Sequence, residues 1–155
     1  MFAILITFTF ILIISFIPVL VLQLYYTILM LEEENPGCFD MPDKTFIDLY
    51  MKSGLYITEI VKRLYQSDTM KKQFPDNKER LKHIFEKQVY GLAPTEIIYK
   101  IATSYILGFD EDTKNMKHNF RQLDALPYAK DGTLQQALER SDIRDQKHDT
   151  ARISY

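Results

Sequence analysis

Little in this chain invites a metal, a disulfide or an independent hold on nucleic acid. It has one cysteine, Cys38, which excludes an internal disulfide and fits a reducing compartment. The histidines, His83, His118 and His148, are scattered, with no i, i+4 pairing and no cysteine nearby, so they offer no metal-ligand set. A basic excess is missing too. Lys and Arg number 19 against 21 Asp and Glu, for a formal charge of −2 and a pI near 5.9. An autonomous DNA binder needs the opposite balance. Glycine is sparse, with five in all. Lys52-Ser53 resembles part of a phosphate-cradling loop, but the upstream glycine of G-x-x-x-x-G-K-[ST] is absent and Asp48 stands in its neighbourhood. Lys62-Arg63 and Lys71-Lys72 read as solvated helix edges. Ten Tyr and ten Phe read as core and helix-face packing rather than a base-stacking surface.

The most informative stretch is Thr45–Glu59, TFIDLYMKSGLYITE. Thr45–Tyr50 reads as a short apolar strand with Asp48 set in it, and Met51-Lys52-Ser53-Gly54 turns the chain. An amphipathic pattern follows. Ile57, Ile60, Val61, Leu64 and Tyr65 recur at i, i+3, i+4, i+7 and i+8, while Glu59, Lys62, Arg63 and Gln66 take the other side. A strand, a Gly-containing turn and a helix leave backbone N–H groups aimed at whatever sits above the sheet. Further on, Asp76 and Glu79 have the spacing of a capping box after Pro75, which predicts a helix over 77–87. Gln88–Leu92 reads as a second strand. Pro94 then suits the entry to a helix over 95–106, with Ile97, Ile98, Ile101, Ala102 and Tyr105 on one side. An acid-rich linker, Asp110–Lys117, leads to a third strand, Asn119–Leu123. This alternation favours a parallel sheet with right-handed crossovers. The Thr45–Tyr50 strand is expected at one edge and Gln88–Leu92 in the middle.

Three strings carry a resemblance: FIDLYMKSGLYITEIVKRLY, RLKHIFEKQVYGLAPTEIIYKIA and NFRQLDALPYAKDGTL. Together they resemble the start of the catalytic domain of bacterial restriction–modification DNA methyltransferases, the adenine-N6 enzymes above all. The likeness runs from Thr45 to Leu138. It implies a doubly wound, Rossmann-like sheet, here incomplete, that binds S-adenosylmethionine at the C-terminal ends of its first strands. It sets Asp48 and the Lys52-Ser53-Gly54 turn beside the methionine moiety. Ala93, Pro94, Thr95 and Glu96 would lie near the ribose, and Asp124 and Ala125 near the adenine ring. A carboxylate accepts hydrogen bonds from ribose hydroxyls or an exocyclic amine, which suits these roles. This chain departs from the family at two of these loops. Met51 and Lys52 crowd a turn that usually carries small residues. The acid expected directly after the second strand is Ala93, which leaves Glu96 as its substitute. Read without the resemblance, Asp48 is a strand-end acid capping its own turn, Lys52 a solvated turn residue and Asp124 an Asx-type cap.

The catalytic signature of that family, Asn/Asp-Pro-Pro-Tyr/Phe, grips the flipped adenine. This chain contains no such tetrapeptide, and so no catalytic residue is assigned. Ala125-Leu126-Pro127-Tyr128 is a partial likeness, but it sits directly on the third strand's end, where the cofactor contact belongs. DNA would engage only if a further polypeptide segment completed the enzyme, and a restriction endonuclease is the partner the family implies.

The ends of the chain differ from its middle. Met1–Leu31 has no charged side chain and is long enough to span a bilayer, which takes about 20 apolar residues. It predicts a long hydrophobic N-terminal helix, read either as a membrane anchor or as a gene-boundary artefact. The expected division is a hydrophobic segment 1–31, a linker 32–44, a partial cofactor-binding domain 45–138 and a polar, disordered tail 139–155. Localisation is cytoplasmic by family, or at a membrane through residues 1–31. The competing functional reading is a small single-span membrane protein whose soluble part mediates interactions and has no enzymatic activity.

Overall fold

In the computed structural model the described residues are 19, 22–108 and 111–140. They divide into two units, one ending at Phe39 and one beginning at Asp40. In the first unit a helix, α1, covers residues 22–34, and Asn35 closes it by donating from both its main-chain and side-chain nitrogens to Leu31 O. Most of the predicted hydrophobic N-terminal helix, residues 1–18, 20 and 21, lies outside the described residues. Among the described residues no helix is long and apolar enough to cross a membrane.

The second unit is a mixed α/β structure built on a three-stranded parallel sheet. Its elements are β1 (Phe46–Asp48), α2 (Leu55–Gln66), α3 (Asp68–Gln73), α4 (Asn77–His83), a π-turn (Ile84–Gln88) and β2 (Val89–Ala93). There follow α5 (Glu96–Leu107), α6 (Glu111–Lys114), β3 (Asn119–Gln122), α7 (Ala125–Lys130) and α8 over residues 134–140. The sheet order is β1-β2-β3, with β2 in the middle as the alternation predicts. Helices α2 and α5 pack on each other and both on β2, which places the two crossovers on one face.

Several boundaries differ from the sequence expectation, each for a local reason. Strand β1 stops at Asp48, not Tyr50, because the Asp48 carboxylate accepts the Tyr50 N–H at 3.0 Å and turns the chain. Gln88 belongs to the π-turn, not to β2. Its amide is fully buried and donates to Met41 O (3.0 Å) and Lys44 O (3.2 Å), fastening the segment that leads into β1. Asn119 reaches back to the same turn and donates to Phe85 O and Glu86 O at 3.2 and 2.9 Å. A wide turn leaves carbonyls without their usual helical partners, and the Asn119 amide satisfies two of them. Helix α3 was not expected. Ser67 both ends α2 and caps α3, accepting from Met70 N at 3.3 Å while its hydroxyl donates to Asp40 at 2.6 Å. The cap predicted at Asp76 is present, accepting from Lys78 N and Glu79 N. Within the predicted linker lies the short helix α6, and within the predicted tail Glu139 and Arg140 complete α8. Residues 141–155 are outside the described set.

Packing is lopsided. Phe46, Val89, Gly91 and Phe120 share one face of the sheet by register and are buried there. A Cβ on Gly91 would lie 2.7 Å from Met51 Sδ and 3.1 Å from the Phe120 ring, so a larger residue there would push the Met51 side chain aside. Met51 is therefore core and does not crowd the turn it leads into. On the other face Ile47 is 51 % exposed and Tyr90 half-buried, whereas Leu92, further along the same face, is buried, so the exposed part lies toward β1. Parallel sheets are normally covered on both faces. Helix α5 also corrects the expectation. Ala102 and Leu107 face inward, while Ile97, Ile101 and Tyr105 form an exposed stripe. The inward side of α5 lies close against the turn before α2: a Cβ at Gly54 would sit 2.9 Å from the Ile106 side chain and 3.3 Å from Ala102 O.

Candidate functional site

The C-terminal ends of the three strands are stitched together by main-chain bonds. Met51 N donates to Leu92 O at 2.7 Å just beyond β1, and Leu123 N donates to Ala93 O at 2.8 Å just beyond β3. The three loops singled out in the sequence therefore leave the sheet side by side at one end.

At the first loop, Asp48 closes an Asx-type turn on Tyr50 N. Burial pushes its carboxyl above the ordinary carboxylate range. The Tyr50 N–H and the charge of Lys52 offset this only in part. Gly54 follows with φ +84°, a left-handed conformation that β-carbons resist. It starts α2 with no side-chain cap, whereas Ser67, Asp76, Thr95 and Asp124 cap the helices they precede. Lys52 and Ser53 are exposed. A carboxylate held against desolvation is a cost to the fold, and such costs gather at functional sites. Because the folded carboxyl titrates above the unfolded one, stability from this group is full in acid and is lost as pH rises through its folded value. Asp48→Asn is thus expected to raise the unfolding midpoint at pH 7, with the gain shrinking to nothing below the ordinary carboxylate range. Thermal melts across that pH interval measure it; an unchanged or lowered midpoint at pH 7 would contradict the assignment.

At the second loop, Ala93 is fully buried and Pro94 partly so, while Thr95 caps α5 by accepting from Ile98 N at 3.3 Å. Glu96 is exposed and paired with Lys100 one turn on. That hydrogen bond, and then the lysine's charge, hold its carboxyl below the usual range. At the third loop, Asp124 caps α7 through Leu126 N at 3.1 Å, and Ala125 is buried as its first residue.

A cleft of about 400 Å³ opens between the second and third loops. Pro94 lines it from the β2–α5 turn, and Gln122, Leu123 and Asp124 from the end of β3. Pro127, Tyr128, Asp131 and Thr133 line it from α7 and the turn that follows. Of the predicted site residues, Pro94 and Asp124 reach this cleft. Asp48 and the Lys52–Gly54 turn stand at the adjoining strand end, and Glu96 points along its helix to Lys100. No sequence pattern points to Asp131 or Thr133. Pro127 and Tyr128 drew notice only through their partial likeness to a catalytic motif.

The lining has a chemical bias. Prolines, Leu123 and the Tyr128 ring offer flat apolar surface, and Asp124, Asp131, Gln122 and Thr133 offer mainly acceptors. Among the described residues no Lys, Arg or His lines it. Nor does any group of three or more His, Cys, Asp or Glu lie where it would hold a metal, among the same residues. Comparison with protein-family models, curated proteins and solved structures gave no match.

Proposed function

We propose that this chain supplies the S-adenosylmethionine-binding part of a restriction–modification DNA adenine-N6 methyltransferase, working in the cytoplasm with a catalytic segment contributed by other polypeptide. One observation carries the reading. An acceptor-rich cleft, with no cation lining it among the described residues, lies at the carboxyl ends of parallel strands, where open α/β sheets bind ligands. S-adenosylmethionine is a nucleoside with a sulfonium and no phosphate, so it meets carboxylates without repulsion. Dinucleotides and nucleoside triphosphates do not share that property. Asp48, Lys52, Ser53 and Gly54 would hold the methionine end, Pro94 the ribose side, and Asp124 the purine. The exposed Ile47 and a β1 edge that no strand flanks among the described residues agree with a doubly wound sheet completed by other polypeptide.

Asp124→Ala tests the assignment. It is expected to weaken S-adenosylmethionine binding by about 1–3 kcal/mol, the penalty for leaving polar partners unmatched. Asp48→Asn is expected to weaken binding by a similar amount while raising stability, a combination that a purely structural aspartate does not give. Isothermal titration of the full chain and both variants reads the two effects, and unchanged affinity in both variants would sink the proposal.

A second reading has its own support. The exposed Ile97–Ile101–Tyr105 stripe and Ile47 suit a protein that only mediates interactions, attached to a membrane through residues 1–31. Fractionation with and without those residues, run beside the titration, separates the two.

A further inference from the structure

We propose that Tyr128 and Asp131, on α7 and the turn closing it, form the wall of the cleft that receives the purine, and that this wall selects nucleosides over nucleotides. The inference rests on the nucleoside reading above and deepens it. Asp124 and Asp131 flank α7, and both residues line the same cleft as Tyr128 between them. One Asp124 oxygen is committed to Leu126 N. Among the described residues no hydrogen bond or ion pair engages the Asp131 carboxylate, and none engages the Tyr128 hydroxyl. An aromatic ring flanked by two acceptors offers a purine a stacking face and offers its exocyclic amine or the ribose hydroxyls a place to donate.

The wall is also held in place. Thr133 N donates to Tyr128 O at 2.9 Å and Gly132 N to Ala129 O at 3.4 Å, with Gly132 at φ +68°. This is the paired bonding of a Schellman turn, which fixes the end of α7 and with it the position of Asp131. A phosphate entering here would meet two carboxylates and, among the described residues, no lining cation, and like charges repel, most strongly at low ionic strength. A neutral nucleoside or a sulfonium meets no such barrier.

Calorimetric titration of the full chain with adenosine, adenosine monophosphate and S-adenosylhomocysteine tests this, using wild type, Tyr128→Ala, Tyr128→Phe and Asp131→Asn. Loss of a stacking face is expected to weaken adenosine about 5- to 100-fold in Tyr128→Ala, with Tyr128→Phe close to wild type. Wild type is expected to prefer adenosine to its monophosphate about tenfold or more, and Asp131→Asn to narrow that gap, as removing one repelling charge requires. Circular dichroism confirms that each variant is folded. If S-adenosylhomocysteine binds and neither Tyr128→Ala nor Asp131→Asn alters adenosine or the monophosphate, the wall is refuted while the proposed function stands. If adenosine binds through Tyr128 but S-adenosylhomocysteine binds no better, the wall stands and the methionine-side reading falls. Equal affinity for adenosine and its monophosphate overturns the selectivity, and no binding of any of the three by wild type overturns both.

Discussion

Phe120→Ala is expected to destabilise the α/β unit by about 3–5 kcal/mol, the range for truncating a fully buried phenylalanine. Phe120 is 1 % exposed. Its ring meets Phe85 edge-on at 6.2 Å and stacks on His118 at 4.9 Å. It also lies over Gly91 beside Met51, so its loss opens a cavity where β2, β3 and the β1 loop meet. For a unit of this size each kcal/mol moves the midpoint by about 4–8 °C, so a fall of about 12 °C or more should be read by circular dichroism. Ile47→Ser is the control. Ile47 is in the same sheet but on the open face, so its substitution should change stability by no more than about 0.5 kcal/mol and reduce self-association. Equal losses at the two positions would mean that the open face is covered.

The second large effect is an absence. Purified full-length chain is expected to transfer no methyl group to DNA of any sequence, because it contains no Asn/Asp-Pro-Pro-Tyr/Phe segment to hold an extruded adenine. Among the described residues β1 pairs only with β2, leaving its other edge open to a strand from another polypeptide. A radiolabelled methyl-transfer assay on mixed-sequence DNA measures this. Robust transfer by the chain alone would show that the catalytic segment lies among residues read here as cofactor loops, with Ala125–Tyr128 the first suspect.

Much of the fold was legible because periodicity and capping report local physics. The β1–turn–α2 unit, the Asp76 cap, the Pro94 entry to α5 and the parallel order β1-β2-β3 all follow from the pattern of residues. What stayed hidden depends on contacts distant in sequence. Gln88 looks like a strand residue until Met41 and Lys44 are brought to its amide. Met51 looks like an intrusion until Gly91 makes room for it. Apolar residues along α5 cannot announce that the Ala102–Ile106 side packs against Gly54 while Ile97 and Ile101 stay exposed.

The site was legible to a smaller degree. Asp48, Gly54, Pro94 and Asp124 mark strand ends, which a sequence can place. Asp131 and Thr133 enter the cleft only because α7 and its closing turn fold back beside Pro94, and no spacing rule reports that. The same side-chain bonds also fit the plainer readings, since Asp48 and Asp124 each cap a turn or helix. Capping and ligand binding are compatible, because a carboxylate has two oxygens and each cap uses one.

The most direct test of the central claim is an isothermal titration of S-adenosylmethionine into the full chain, with circular dichroism confirming that the protein is folded. Saturable binding at one site per chain, weaker for adenosine triphosphate than for S-adenosylmethionine, is the predicted result. Folded protein that shows no saturable binding up to about 1 mM, a bound of roughly −4 kcal/mol, would contradict it.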